Sequence, residues 1–205
     1  SLLMGLKRVL ENSIANRVQR AVKPINSRNL SSCTIGVIGA SQVGRRVVRL
    51  LRQFGSTVQL YDPYVEKTAA DEMGVTLVPD LVDLCQSSDA VTVHAPLLPS
   101  TYQMLQAKHF QAMRPSTVFV NTSRGSIVDE KALVMELQRG RLFAFLDVSD
   151  PEPAALDSPL RTLPNVVYTS HIAGGADLRL GRQAVDDLIA PLAGKPMTMP
   201  VTRDM

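Results

Sequence analysis

Four polar positions carry the chemistry that the residue types of this chain allow. Arg124 stands in Asn121-Thr122-Ser123-Arg124-Gly125, directly after an apolar run. Asp147 lies near the end of the run Phe143–Val148, and Glu152 sits between Pro151 and Pro153 just beyond it. His171 heads His171-Ile172-Ala173-Gly174-Gly175, after the run Val166–Tyr168. A guanidinium can hold a carboxylate by two parallel hydrogen bonds. An imidazole can deliver a proton to a carbonyl oxygen as a hydride arrives at carbon. A carboxylate on the other ring nitrogen fixes the tautomer and favours the protonated form. An arginine, a carboxylate and a histidine therefore meet the needs of 2-keto acid reduction. Taken singly, a loop arginine is more often a solvated charge and a lone histidine a structural group. Their joint placement after successive strands raises them, because open α/β sheets bind ligands there.

A second constellation precedes these. Gly39-Ala40-Ser41-Gln42-Val43-Gly44 follows the apolar run Thr34–Ile38 and opens a helical pattern. This is the glycine-rich dinucleotide turn, G-x-G-x-x-G, with Ser41 where the second glycine belongs. Gly39 can make the tight turn and Gly44 can let helix and strand pack closely. Backbone N–H groups near Gln42 and Val43 would face a pyrophosphate at a helix N-terminus. The Cβ of Ser41 could crowd that phosphate, or its hydroxyl could serve it. Asp62 ends the next strand, 18 residues beyond Gly44. An acid there can accept both ribose hydroxyls of NAD and repels the 2′-phosphate of NADP. The order of strand, turn, helix and acid argues against a plain turn with a solvated aspartate.

These residues need a scaffold, and the chain alternates accordingly. Strands are predicted at Thr34–Ile38, Thr57–Tyr61, Ala90–Val93, Thr117–Asn121, Phe143–Val148 and Val166–Tyr168. Helices are predicted at Val43–Phe54, Val65–Met73, Leu81–Gln86, Ala107–Met113 and Asp129–Arg139, with Gly55, Gly74 and Gly140 just past three of them. The alternation predicts an α/β, Rossmann-type doubly wound fold with a mostly parallel sheet. Asp150–Pro164 holds prolines at 151, 153, 159 and 164 and reads as a loop. Before the first strand, Leu3, Leu6, Leu10, Ile14, Val18 and Val22 recur at helical spacing, with Lys7, Arg8 and Glu11 on other faces and Pro24 as terminator. A last helix is expected from about Asp177 to Leu192, then an extended tail after Pro196.

Composition excludes several classes. Of 205 residues 45% are hydrophobic, and the net charge of +3 comes from scattered basic residues without long like-charge runs, so no nucleic-acid partner is expected. No apolar stretch reaches membrane-spanning length, so no membrane partner is expected. Cys33 and Cys85 make neither a disulfide framework nor a zinc site; no metal is expected, and the two read as buried thiols of a cytoplasmic, reducing setting. The basic N-terminal helix could alternatively be a presequence, but a domain follows it at once. Opening on Ser1 fits a fragment or a processed chain.

The chain resembles the D-isomer-specific 2-hydroxyacid dehydrogenases over nearly its whole length. The likeness rests on Thr34–Gly44, Tyr61-Asp62-Pro63-Tyr64, Val93-His94-Ala95-Pro96-Leu97 with Thr101, Phe119–Gly125, Asp129-Glu130, Leu146-Asp147-Val148 through Pro151-Glu152-Pro153, Leu163–Val166, His171–Gly174, and Leu192–Pro196. The resemblance implies that Arg124 binds the substrate carboxylate and that His171 is the acid/base, paired with Glu152. It places Asp147 at the nicotinamide carboxamide, Gln42 and Val43 at the pyrophosphate, and Asp62 at the adenine ribose. His94, Ala95, Pro96, Thr101, Thr122, Ser123 and Gly174 would border the cofactor, NAD. A glutamate partner for the histidine resembles the hydroxyacid enzymes rather than the formate dehydrogenase branch.

Three departures stand out: Ser41 for glycine, Ser170 where the family has proline before the histidine, and no substrate domain ahead of the linker helix. The resemblance thus divides the chain into residues 1–176, linker helix plus NAD-binding domain, and residues 177–205, a segment returning to the missing domain. The expected function is hydride transfer between NAD(H) and a small D-2-hydroxy or 2-keto acid, with the isolated chain binding NAD but turning over slowly or not at all. Glyoxylate, hydroxypyruvate, phosphoglycerate and larger keto acids stay open, and a homodimer is expected. The alternative is an NAD-responsive, corepressor-like scaffold without turnover. An adenosylhomocysteinase-like NAD domain would share the glycine turn but not the Arg124 and His171 positions.

Overall fold

The computed structural model describes residues 1–9, 12–14, 27–174 and 178–198. The chain divides into two compact units, Ser1–Ser170 and His171–Met205.

Among the described residues the first unit is built on seven strands: β1 Thr34–Ile38, β2 Thr57–Tyr61, β3 Thr76–Leu77, β4 Ala90–Val93, β5 Val118–Asn121, β6 Phe143–Leu146 and β7 Val166–Tyr168. They form one sheet in the order β3-β2-β1-β4-β5-β6-β7, every pair parallel. Among the described residues, helices on its faces include α1 Leu2–Leu6, α2 Gln42–Gln53, α3 Lys67–Met73, α4 Leu81–Ser87, α5 Ala107–Ala112 and α6 Glu130–Gln138. Helices on both faces leave no solvated side, which is why β4 and β5 are buried at every position instead of alternating.

The period of two along each strand instead sorts residues between two cores. From β1, Ile35 and Val37 pack with Val48 and Leu51 of α2 and Leu6 of α1. Ile38 packs on the opposite side with Leu84 of α4, Phe110 of α5 and Leu133 of α6. From β5, Val118 and Val120 join the first core and Phe119 the second. Gly5 lets α1 lie directly on the sheet, since a Cβ there would be 2.6 Å from Val118 Cγ1.

The strand order reverses between β1 and β4, where a doubly wound sheet opens its ligand crevice. The register pairs Ile38 with Tyr61 and Val93, Val93 with Asn121, Asn121 with Leu146, and Leu146 with Tyr168. The segments that follow these residues therefore leave along a single edge.

Several boundaries differ from expectation. Strand β3 was not anticipated, because two residues carry no readable periodicity. Strand β6 stops at Leu146 and not Val148: the chain turns away after Asp147, whose N–H still reaches the Asn121 carbonyl at 3.0 Å. Helix α3 begins at Lys67, because Val65 is taken into a turn by its N–H bond to the Asp62 carbonyl. The single N-terminal helix expected from Leu3 to Val22 does not run unbroken. A turn at Lys7-Arg8, with Arg8 at φ +52°, follows α1. Arg8, assigned to a polar face, is instead buried, with its guanidinium 3.3 Å from the Phe143 ring centroid and a bond to the Ser116 carbonyl. The rest of that helix lies largely outside the described residues. Gly55, Gly74 and Gly140 all have positive φ, as their positions past helices predict.

In the second unit, α7 spans Leu178–Ile189, within the helix expected from Asp177 to Leu192 but ending before Pro191, and a short 3-10 turn covers Pro191–Ala193.

Candidate active site

The glycine turn is shaped by two close backbone approaches. Gly39 has φ +93°, and a Cβ there would lie 2.5 Å from the Ala95 nitrogen. A Cβ on Gly44 would lie 2.1 Å from the Gly39 carbonyl oxygen. Neither position admits a side chain, so turn, α2 and the β4 end are drawn into one knot. Ser41 is different. It has φ −57° and ψ 174°, open to any residue, and its hydroxyl accepts from the Gly44 N–H at 3.2 Å as the N-cap of α2. The amides of Gln42 and Val43, both exposed, belong to the first helical turn and have no acceptor within the helix. They are the donors an anionic diphosphate needs.

Asp62 braces the turn from β2. One carboxylate oxygen accepts from the Ala40 N–H at 2.7 Å and the other from Tyr64 N–H at 2.9 Å. Each oxygen keeps a lone pair for a ribose hydroxyl. His94 closes the floor: it is buried, its Nε2 lies 3.1 Å from the Thr92 hydroxyl, and burial pushes its pKa down to about 4. A neutral imidazole there adds no charge beneath the turn. Ala95 is buried beside Gly39. Pro96 and Thr101 shape the next loop, where the Thr101 hydroxyl donates to the Pro96 carbonyl and accepts from Leu98 N–H at 2.7 Å.

Arg124 is carried by a turn that its own motif builds. The Asn121 side chain accepts from Ser123 N–H at 3.0 Å and donates to the Arg124 carbonyl at 3.0 Å. Thr122 lies within this turn, and the Ser123 hydroxyl donates to the Ala95 carbonyl, linking it to the β4 end. On the other side a Cβ on Gly125 would lie 2.0 Å from the Ser149 carbonyl oxygen, so glycine is required for contact with the segment after β6. Arg124 itself is exposed.

In that segment Asp147 is buried, and one carboxylate oxygen accepts from the Thr169 hydroxyl. The proline loop is tied at several points. Glu130 accepts from Asp150 N–H at 2.8 Å, its pKa raised by burial. The Tyr168 hydroxyl accepts from Ala154 N–H at 3.0 Å and meets the Ser149 hydroxyl at 3.0 Å. Arg161 donates to the Ala154 carbonyl. Glu152 stands exposed on this loop.

The first unit thus brings together Gly39, Ser41, Gln42, Val43, Gly44, Asp62, His94, Ala95, Pro96, Thr101, Thr122, Ser123, Arg124 and Asp147 on one sheet edge. His171, at φ +53°, and Gly174 belong to the second unit, and both are exposed. Sequence reasoning missed Thr169, Tyr168 and Ser149 as supports; the only signal was the position of Thr169 just after a strand and two residues before His171. Among the described residues no cluster of potential metal ligands occurs.

A family model described as D-isomer specific 2-hydroxyacid dehydrogenase, NAD binding domain, matches residues 1–173. The chain belongs to this family. It is 39% identical over 158 residues to D-3-phosphoglycerate dehydrogenase of Methanocaldococcus jannaschii, covering 77% of this chain and 30% of that protein. It is 37% identical over 161 residues to glyoxylate reductase of Korarchaeum cryptofilum, covering 77% and 48%. Among solved structures, the TT0316 protein of Thermus thermophilus superposes with TM-score 0.81 at 32% identity, covering 98% of this chain and 65% of that one. A D-isomer specific 2-hydroxyacid dehydrogenase of Xanthobacter autotrophicus Py2, in complex with NADPH and MES, gives 0.83 at 27%, covering 98% and 83%. The chain spans about a third to a half of the length of the two relatives named first. The glycine cradle, the free first-turn amides and Asp62 fit the NAD that this family's domain binds.

Proposed function

We propose that this chain serves a dehydrogenase that moves hydride between NAD(H) and a small 2-keto or D-2-hydroxy acid. The observation that carries the proposal is the Asn121-held turn. It projects an arginine from the ligand-binding edge of the sheet, bonded to the segment that also floors the glycine turn.

Bound NAD(H) would supply or accept the hydride. Arg124 holds the substrate carboxylate through paired N–H bonds, and its charge draws electron density from the adjacent carbonyl. Asp147, oriented by Thr169, is assigned to the nicotinamide carboxamide. His171 holds the proton that the substrate oxygen receives, and Glu152 is the carboxylate assigned to favour its protonated form. Residues 1–176 are assigned to the linker and cofactor domain and 177–205 to the returning segment. A cytoplasmic homodimer completes the reading, and sedimentation tests the dimer. The relatives' names put 3-phosphoglycerate and glyoxylate first among substrates to screen. Each relative named as an enzyme is a dehydrogenase or reductase, so the scaffold alternative gains no support.

Fluorescence titration with NADH and NADPH is the first test. Saturable NADH binding with much weaker NADPH supports the turn and Asp62. In the protein that carries this chain, Arg124→Gln is expected to lower kcat/KM for the keto acid by about a hundredfold or more, from two charge-assisted bonds lost, with NADH affinity unchanged. Unaltered keto acid reduction in that variant would refute the assignment.

A further inference from the structure

Helix α2 carries four arginines, Arg45, Arg46, Arg49 and Arg52, all exposed. Their spacing sets like charges three and four residues apart, an arrangement that weakens a helix. The first turn has no acidic residue to offset them. Among the described residues none of the four forms an ion pair. They line an open groove of about 570 Å³ against α3, which Glu72 and Met73 also line. Two are pre-set by backbone: Arg45 Nε donates to the Ala40 carbonyl at 2.9 Å, and Arg52 donates to the Met73 carbonyl at 3.0 Å. Arg46 and Arg49 lie between them.

We propose that this groove binds a small oligophosphate, a site separate from the dinucleotide turn. Four guanidinium groups along two helical turns offer paired N–H donors to successive phosphate groups. An anion there removes the mutual repulsion along α2. A single phosphate would engage one or two of the arginines; a chain of phosphates spans all four. Glu72 repels the anion at one wall and limits the site to ligands held by the α2 side.

Inorganic triphosphate is the probe, titrated into the protein by calorimetry at low and at physiological salt. One saturable site is expected, weaker at higher salt. R46Q/R49Q, at exposed positions, is expected to weaken binding by at least about tenfold, having lost two charge-assisted partners. K108Q/K131Q removes the same charge elsewhere and is expected to leave binding nearly unchanged. Equal weakening by both pairs would reduce the effect to net charge and overturn the proposal, as would absence of saturable binding. NADH affinity is read in parallel. If R46Q/R49Q weakens NADH as much as triphosphate, the arginines serve the dinucleotide and the separate site is refuted. If wild-type protein binds triphosphate but not NADH, the function proposed above fails while the groove stands.

Discussion

Ser41 occupies the place of a glycine, yet nothing in its backbone requires one: φ is −57° and the hydroxyl caps α2 through Gly44 N–H. Ser41→Ala is expected to lower stability by about 1 kcal/mol and Ser41→Gly by roughly a few tenths, read from urea unfolding, with NADH affinity retained. Equal loss in both variants would remove the capping account. His94 sets a pH dependence. Burial pushes its pKa down to about 4, so the unfolded chain binds the proton more strongly. Stability is therefore whole above the ordinary histidine pKa and falls as pH drops from about 6.5 toward 4. His109, also lowered by burial, acts in the same direction. His94→Asn is expected to flatten part of that acid limb in urea titrations across the range; an unchanged slope would contradict it.

Elements deliver these residues through packing. Strand β5 leads into the Arg124 turn, and its Phe119 meets Phe110 of α5 edge to face, ring centroids 5.4 Å apart, both fully buried. Phe119→Ala is expected to cost about 3–5 kcal/mol, a large share of the stability of a typical domain, measured as a fall in the urea midpoint. A loss below about 1 kcal/mol would mean that the site relaxes around the cavity. The strands and helices of the first unit were largely legible, since long apolar periods and helix-ending glycines are local. The breaks were not. Arg8 reads as a polar-face residue until Phe143 and the Ser116 carbonyl, more than a hundred positions away, are brought beneath it.

Across the whole molecule, a fully parallel register is what aligns the turns after β1, β2, β4, β5 and β6 on one edge. A ligand that binds only this assembled edge stabilises the folded state. NADH at a hundred times its Kd is expected to raise unfolding free energy by about 2.7 kcal/mol, seen as a shift in thermal or urea midpoint. No shift at saturating NADH would contradict binding to the folded unit. The arginine groove belongs to the same scale: the four arginines are plain in the chain, but only the packing of α3 against α2 makes them walls of a cavity.

The sequence by itself determined the class of sheet, the dinucleotide turn, and the arginine, aspartate, glutamate and histidine that suit keto acid chemistry. Those features rest on local periodicity, on residue types with particular donors and charges, and on motif order. Tertiary structure alone decided that Ser41 caps a helix, that Gly125 must be glycine to meet the Ser149 carbonyl, and that Thr169 orients Asp147. Close backbone approach and a shared hydrogen bond between distant segments have no sequence period. They exist only once strands far apart in the chain lie side by side.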